Sequence, residues 1–167
     1  MHKCFPNPTV ILFGGEGEAC VSVATTRKSL AEQGATVVDE VQATGAIDLA
    51  DAALAPFVGS LAFDRLPQGD LLAYLRGIAW NVRLSRAVPS LGFYPTCAEG
   101  DRERLDGLLA RRDSLAVQVA DMRQRRRDHG LTLSESAKLR MALKELEKEL
   151  DGADGEITAL CRTEVQQ

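Results

Sequence analysis

Arg123-Gln124-Arg125-Arg126-Arg127 places four guanidinium groups in five positions. Planar guanidinium forks grip phosphates or carboxylates in pairs of hydrogen bonds. Arg111 and Arg112 add two more cations earlier on the same segment. No aromatic residue lies nearby, so nucleic acid would be held through backbone charge and not by stacking on bases. An acidic protein partner would satisfy the same arginines. So would plain hydration at a helix end, where basic side chains complement the negative pole of the helix. Arg123, Arg125, Arg126 and Arg127 are the candidate contact residues for nucleic acid or a partner.

Other residues have types that could do chemistry but lack its spacing. Asp39 and Glu40 lie in a strand-like segment near Lys28, and metal-dependent nucleases need converging carboxylates and a lysine. Surface charges at a strand end have the same appearance. Gly14-Gly15-Glu16-Gly17 follows a β-rich run, but a phosphate loop would lead into a helix. Here another β-rich run follows, and Glu16 and Glu18 would repel an anion, so a hairpin turn is expected. Arg76, Arg83 and Arg86 recur around Trp80, as a basic face or as a charged rim beside a core tryptophan. Cys4, Cys20, Cys97 and Cys161 include no C-x-x-C pair, and the only histidines are His2 and His129. That is not the ligand spacing of a zinc site. Mostly buried structural thiols are expected. No catalytic residue, cofactor site or metal ligand is assigned.

The bulk properties bound the possibilities. The chain has 167 residues, 45% hydrophobic and 26% charged, which is ordinary for a folded protein. Aromatics are only 5%, so Leu, Ala and Val must fill the core. A net charge of −4 and a pI near 5.3 do not fit a protein that coats nucleic acid as a whole. No apolar run reaches the ~20 residues that span a bilayer. Met1 to Pro6 has neither a secretion signal nor a lipidation motif, so a cytoplasmic protein with no membrane partner is expected.

Several elements must position these residues. Thr9–Phe13 and Ala19–Thr25 read as an antiparallel hairpin around the glycine-rich turn. Thr26–Gly34 reads as polar, with room for one helical turn, and Ala35–Val41 as a third strand. Ala46–Leu49 reads as a short extended piece. Leu54, Phe57, Val58, Leu61 and Ala62 mark one helical face over Ala52–Phe63. Asp70 is placed to cap a second helix with an apolar stripe from Leu71 to Leu84, which must stop before Pro89. Ser90–Gly100 reads as a linker.

From Asp101 onward there is no proline and no aromatic residue. Asp101–Asp128 reads as a charged helix, with Leu105, Leu108, Leu115, Val119 and Met122 at heptad spacing and Arg112 interrupting them. After Gly130, Thr132-Leu133-Ser134-Glu135 fits a capping box. Leu139, Leu143, Leu146, Leu150, Ala153, Ile157 and Leu160 then step by alternating fours and threes, a coiled-coil seam. The nearest partner is the preceding helix, reached through His129-Gly130-Leu131. An antiparallel hairpin of ~40 Å is therefore expected in preference to a parallel dimer. The fold class is α+β: a small N-terminal antiparallel sheet with helices over residues 1–92, then a two-helix coiled-coil hairpin over residues 93–167.

Three segments carry a resemblance: Phe5-Pro6-Asn7-Pro8 with the strand after it, Arg27-Lys28, and the stretch from Ser134-Glu135-Ser136-Ala137-Lys138-Leu139 through Lys144-Glu145-Leu146-Glu147-Lys148-Glu149-Leu150. In this order they resemble a bacterial family catalogued as a domain of unknown function, number four-three-nine-one. The resemblance implies a strand-rich front, a middle helical region and a closing coiled-coil pair. It also implies a setting beside helicases and DNA methyltransferases of defence loci, and an additional N-terminal portion in family members. It brings no catalytic motif. Taken together, these readings lead to the expectation of a non-catalytic accessory or scaffold subunit in a DNA-processing or anti-phage defence assembly. A nucleic-acid-binding module using the arginine run is the alternative, and a metal-dependent nuclease using Asp39 or Glu40 comes third.

Overall fold

Two glycine-permissive positions set the first hairpin. Glu16 and Gly17 both have positive φ, 47° and 93°, the pattern of a two-residue type I′ turn whose twist matches that of the flanking strands. The turn joins β1 (Thr9–Gly15) to β2 (Glu18–Lys28), with Thr9 opposite Ala24 and Gly15 opposite Glu18. The structure is a computed structural model and describes residue 2 and residues 7–29, 36–127 and 132–162. Within these, the chain divides into two compact units, Met1–Tyr94 and Pro95–Gln167.

In the first unit, β2 is central. β1 lies on one side of it, and β3 (Thr36–Ala43) and the short β4 (Ile47–Asp48) lie on the other, all antiparallel. β2 runs on through Thr26, Arg27 and Lys28, where the polar composition suggested a helical turn. Pairing with β3 overrides that local signal. The rest of the expected turn, beyond Ser29, lies outside the described residues, as does Ala35. β3 follows Thr36 through a bulge: Thr25 faces Glu40 and Thr26 faces Val38, which leaves Asp39 as the extra residue.

Val21 and Val23 are buried, and α2 (Leu71–Ser85) packs against β2 and β3. α2 contributes Leu75, Ile78, Val82 and Leu84, each worth about 1.5–3 kcal/mol on full burial. Asp70 caps it as expected, accepting from the Ala73 N–H at 2.7 Å. At the other end, Arg86 Nη1 donates to Gln42 Oε1 on β3 at 3.3 Å. Gly77 permits a close approach within this core. A Cβ there would stand 2.6 Å from Cδ of Pro67.

The expected helix over Ala52–Phe63 is broken into parts. A 3-10 turn at Ala52–Leu54 precedes α1 (Ala55–Ser60), and a second 3-10 turn covers Phe63–Arg65. Pro56 accounts for the first break, because its ring and missing N–H are tolerated only in the first turn of a helix. The same rule places Pro89 inside the short α3 (Val88–Leu91) and not beyond a helix end. Phe57 is fully buried and meets Tyr94 with ring centroids 6.1 Å apart.

The second unit is α4 (Arg102–Arg126) and α5 (Leu133–Arg162), which pack on each other. The turn expected at His129-Gly130-Leu131 lies outside the described residues.

Candidate functional site

Cross-helix ion pairs establish how the hairpin is threaded. Arg111 meets Glu156 at 3.4 Å, Arg112 meets Asp154 at 3.0 Å, and Arg123 meets Glu147 at 2.7 Å. Partner numbers fall along α5 as they rise along α4, so the helices run antiparallel. The buried residues of the two helices are Leu105, Leu109, Leu115 and Val119 on α4, and Leu143, Ala153, Ile157, Leu160 and Cys161 on α5. Leu105, Leu115 and Val119 are buried as the spacing predicts, but Leu109 is buried where Leu108 was expected and Leu108 is only half so. α5 opens on the expected capping box. The Thr132 hydroxyl and backbone N–H both donate to Glu135 Oε2, at 2.6 and 2.9 Å, and the Glu135 N–H donates back to Thr132 Oγ1 at 3.3 Å. The hydroxyl bond first, and the backbone bond second, hold the Glu135 carboxyl below its ordinary value.

Arg112, which interrupts the apolar steps of α4, is built into the seam. Its side chain is 12% exposed and that of Asp154 is 21% exposed, and Asp113 stands 3.3 Å from its Nη1. Arginine and carboxylate enter the interface together, so neither charge is buried alone. The sequence signal was present: Asp154 directly follows the seam residue Ala153.

The four arginines of the candidate contact run do not share one fate. Arg123 is engaged across the hairpin with Glu147, and Arg125 along its own helix with Asp121 at 2.9 Å. Arg126 and Arg127 are exposed. Arg126 lines a groove of about 630 Å³ together with Arg140, Met141, Leu143, Lys144 and Glu147. Three cations and two carboxylates, those of Glu145 and Glu147, stand around exposed Met141 in a mixed apolar and charged surface, with Arg140 and Lys144 supplied by a helix that the arginine run did not point to. Away from the helix ends, α4 turns Val117 outward at 69% exposure and α5 turns Met141 outward at 74%, and Leu133 at the start of α5 is 92% exposed.

The other candidates separate. Asp39 is paired with Arg27 at 2.9 Å, and Glu40 accepts from Gln42 Nε2 at 2.5 Å. Among the described residues there is no group of three or more His, Cys, Asp or Glu side chains able to hold a metal. Cys20 is a half-buried free thiol on β2, and Cys161 is buried on α5. Arg86 is turned to Gln42 on β3, and Trp80 is half-buried. One surface had no forecast: Phe63, Leu71 and Tyr74 line an apolar cleft of about 390 Å³, with the Phe63 and Tyr74 rings 5.8 Å apart. Leu71 and Leu72 belong to the apolar stripe of α2, yet both are exposed. They occupy the first turn of the helix, ahead of the buried residues.

An antiparallel sheet backed by one long helix, with a second unit of two self-paired helices, defines an α+β protein. The chain belongs to the family described as domain of unknown function DUF4391, whose family model matches residues 1–150. No curated protein and no solved structure matches it. Among the described residues, no helix is long and apolar enough to cross a membrane.

Proposed function

We propose that this protein is a non-catalytic accessory subunit that docks a protein partner through the outer surface of its helical hairpin. One observation supports this most directly. α4 and α5 satisfy each other through an apolar seam and three cross-helix ion pairs, yet Val117 and Met141 remain exposed on their outer sides. A hairpin that already closes its own seam gains nothing in folding from those side chains, whereas a partner's apolar surface would cover them. The wider reading places the protein in the cytoplasm, in a bacterial DNA-processing or anti-phage defence assembly, with a helicase or DNA methyltransferase as partner. The assembly and the class of partner rest on the family resemblance.

The test is capture of tagged full-length chain from its native host, with nuclease treatment. A helicase or methyltransferase retained after nuclease, and lost with Val117→Asp and Met141→Asp together, supports the reading. Retention that ignores both substitutions sinks the hairpin as the dock.

A nucleic-acid-binding module is the second reading, favoured by the gathering of Arg126, Arg140 and Lys144 around one groove. Arg126→Ala with Arg127→Ala should then weaken DNA binding and flatten its dependence on salt. Unchanged binding removes this reading.

A further inference from the structure

The sheet has two outer edges, and they are built differently. The outer edge of β3 carries the Asp39 bulge and the carboxylates of Asp39 and Glu40, devices that discourage another strand from pairing there. β1 has none of these. Its sequence, Thr-Val-Ile-Leu-Phe-Gly-Gly, contains no charge and no proline. Among the described residues, only β2 pairs with it.

The direction of its backbone groups follows from hydrogen bonds on the far side of β2. The Val21 N–H donates to Thr44 Oγ1 at 3.1 Å, and the Thr44 N–H donates to the Val21 carbonyl at 3.0 Å. Val21 therefore turns both backbone groups away from β1. Backbone direction alternates along a strand, so Ala19 and Val23 do the same. Their partners on β1 are Gly14, Leu12 and Val10. These three residues must direct their N–H and C=O groups out from the sheet edge. The side chain between them is the 72%-exposed Leu12, followed by exposed Phe13. His2 Nε2 lies 2.7 Å from Ser22 Oγ of the central strand, which carries that residue over the sheet face and not along this edge.

We propose that β1 is a homodimerisation edge that pairs antiparallel with β1 of a second copy about a two-fold axis at Leu12. In that register Leu12 faces Leu12, and Val10 faces Gly14 in both directions. Every outward donor of one copy then meets an outward acceptor of the other. Ile11 falls opposite Phe13, a cross-strand pair of a β-branched with an aromatic side chain. Self-pairing brings no like charges together at β1, whereas β3 paired with itself would bring carboxylates together. The product is one continuous sheet built from the strands of two chains.

Sedimentation of the full chain from about 1 μM to about 1 mM tests this. The parent is expected to shift from monomer to dimer. Leu12→Lys and Leu12→Glu each place like charges opposite one another and should weaken association by about tenfold or more. An equimolar mixture of the two variants should restore the dimer, because opposite charges then meet at the axis, and that recovery shows both are folded. A parent that stays monomeric overturns the proposal. So does a dimer indifferent to either substitution, which would lie on another surface, and so does a mixture that fails to associate.

Discussion

Asp154→Ala would leave Arg112 in the hairpin seam with a weakened set of partners. Charges 3.0 Å apart attract by about 5 kcal/mol at an effective dielectric constant of about 20. Withdrawing a guanidinium and a carboxylate from water offsets much of that attraction. Asp154 keeps 21% exposure, and Asp113 remains 3.3 Å from Arg112, so the loss falls below that of a fully buried pair. The expected cost is about 1–3 kcal/mol. The double variant Arg112→Leu/Asp154→Ala removes the buried charge and supplies the leucine that the seam spacing calls for. It should return to within about 1 kcal/mol of the parent, or exceed it. Urea unfolding followed at 222 nm, with both single variants to complete the cycle, measures these terms. If Asp154→Ala lies within about 0.5 kcal/mol of the parent, the ion pair does not hold the seam. If the double variant is less stable than Asp154→Ala alone, Arg112 acts through its alkyl stem and not through its charge.

Gly77→Ala should lower stability by about 1–2 kcal/mol, because overpacking against the Pro67 ring exceeds the ~1 kcal/mol that alanine gains in a helix. A thermal midpoint at or above the parent's would show that the ring yields. Tyr94 titrates at high pH: burial raises its hydroxyl, the hydrogen bond with Ser60 opposes this, and the net value is about 12. Its folded value is raised, so its stabilising contribution is complete below the ordinary value of 10 and drains away between 10 and 12. Tyr94→Phe should therefore lose less stability than the parent between about pH 10 and about pH 12, and equal losses would refute this. Glu135 behaves in the opposite sense. Its folded value is depressed by the Thr132 bonds, so the cap is intact above the ordinary 4.5 and fails as pH falls through the lowered value. Protection of the amides at the start of α5, relative to their intrinsic exchange rates, should fall there, and Glu135→Gln should remove that pH-dependent fall.

What the sequence made legible was local chemistry. The Glu16-Gly17 turn, the Asp70 cap and the Thr132/Glu135 box each depend on side chains within a few residues, and each forms where expected. The α5 seam was legible because a heptad pattern needs only its own helix to be seen. The misses depended on partners distant in sequence. Thr26–Lys28 are strand because β3 lies beside them. Arg112 reads as a flaw until Asp154 is brought across the hairpin, and Arg123 reads as available until Glu147 arrives 24 residues later. The break at Pro56 is different in kind. Its signal was local, and the apolar spacing of Leu54, Phe57, Val58 and Leu61 masked it.

The absence of aromatic residues from the hairpin divides the protein spectroscopically. Phe5, Phe13, Phe57, Phe63, Tyr74, Trp80, Phe93 and Tyr94 all precede residue 95. Tryptophan emission and near-ultraviolet dichroism therefore originate in the first unit alone. Far-ultraviolet helicity is weighted to the second, whose helices have 25 and 30 residues against 15 in α2. One heated sample thus yields two independent melting curves without any label. Where the curves superimpose, the sheet and the hairpin unfold as one cooperative body, and where they part, each stands on its own.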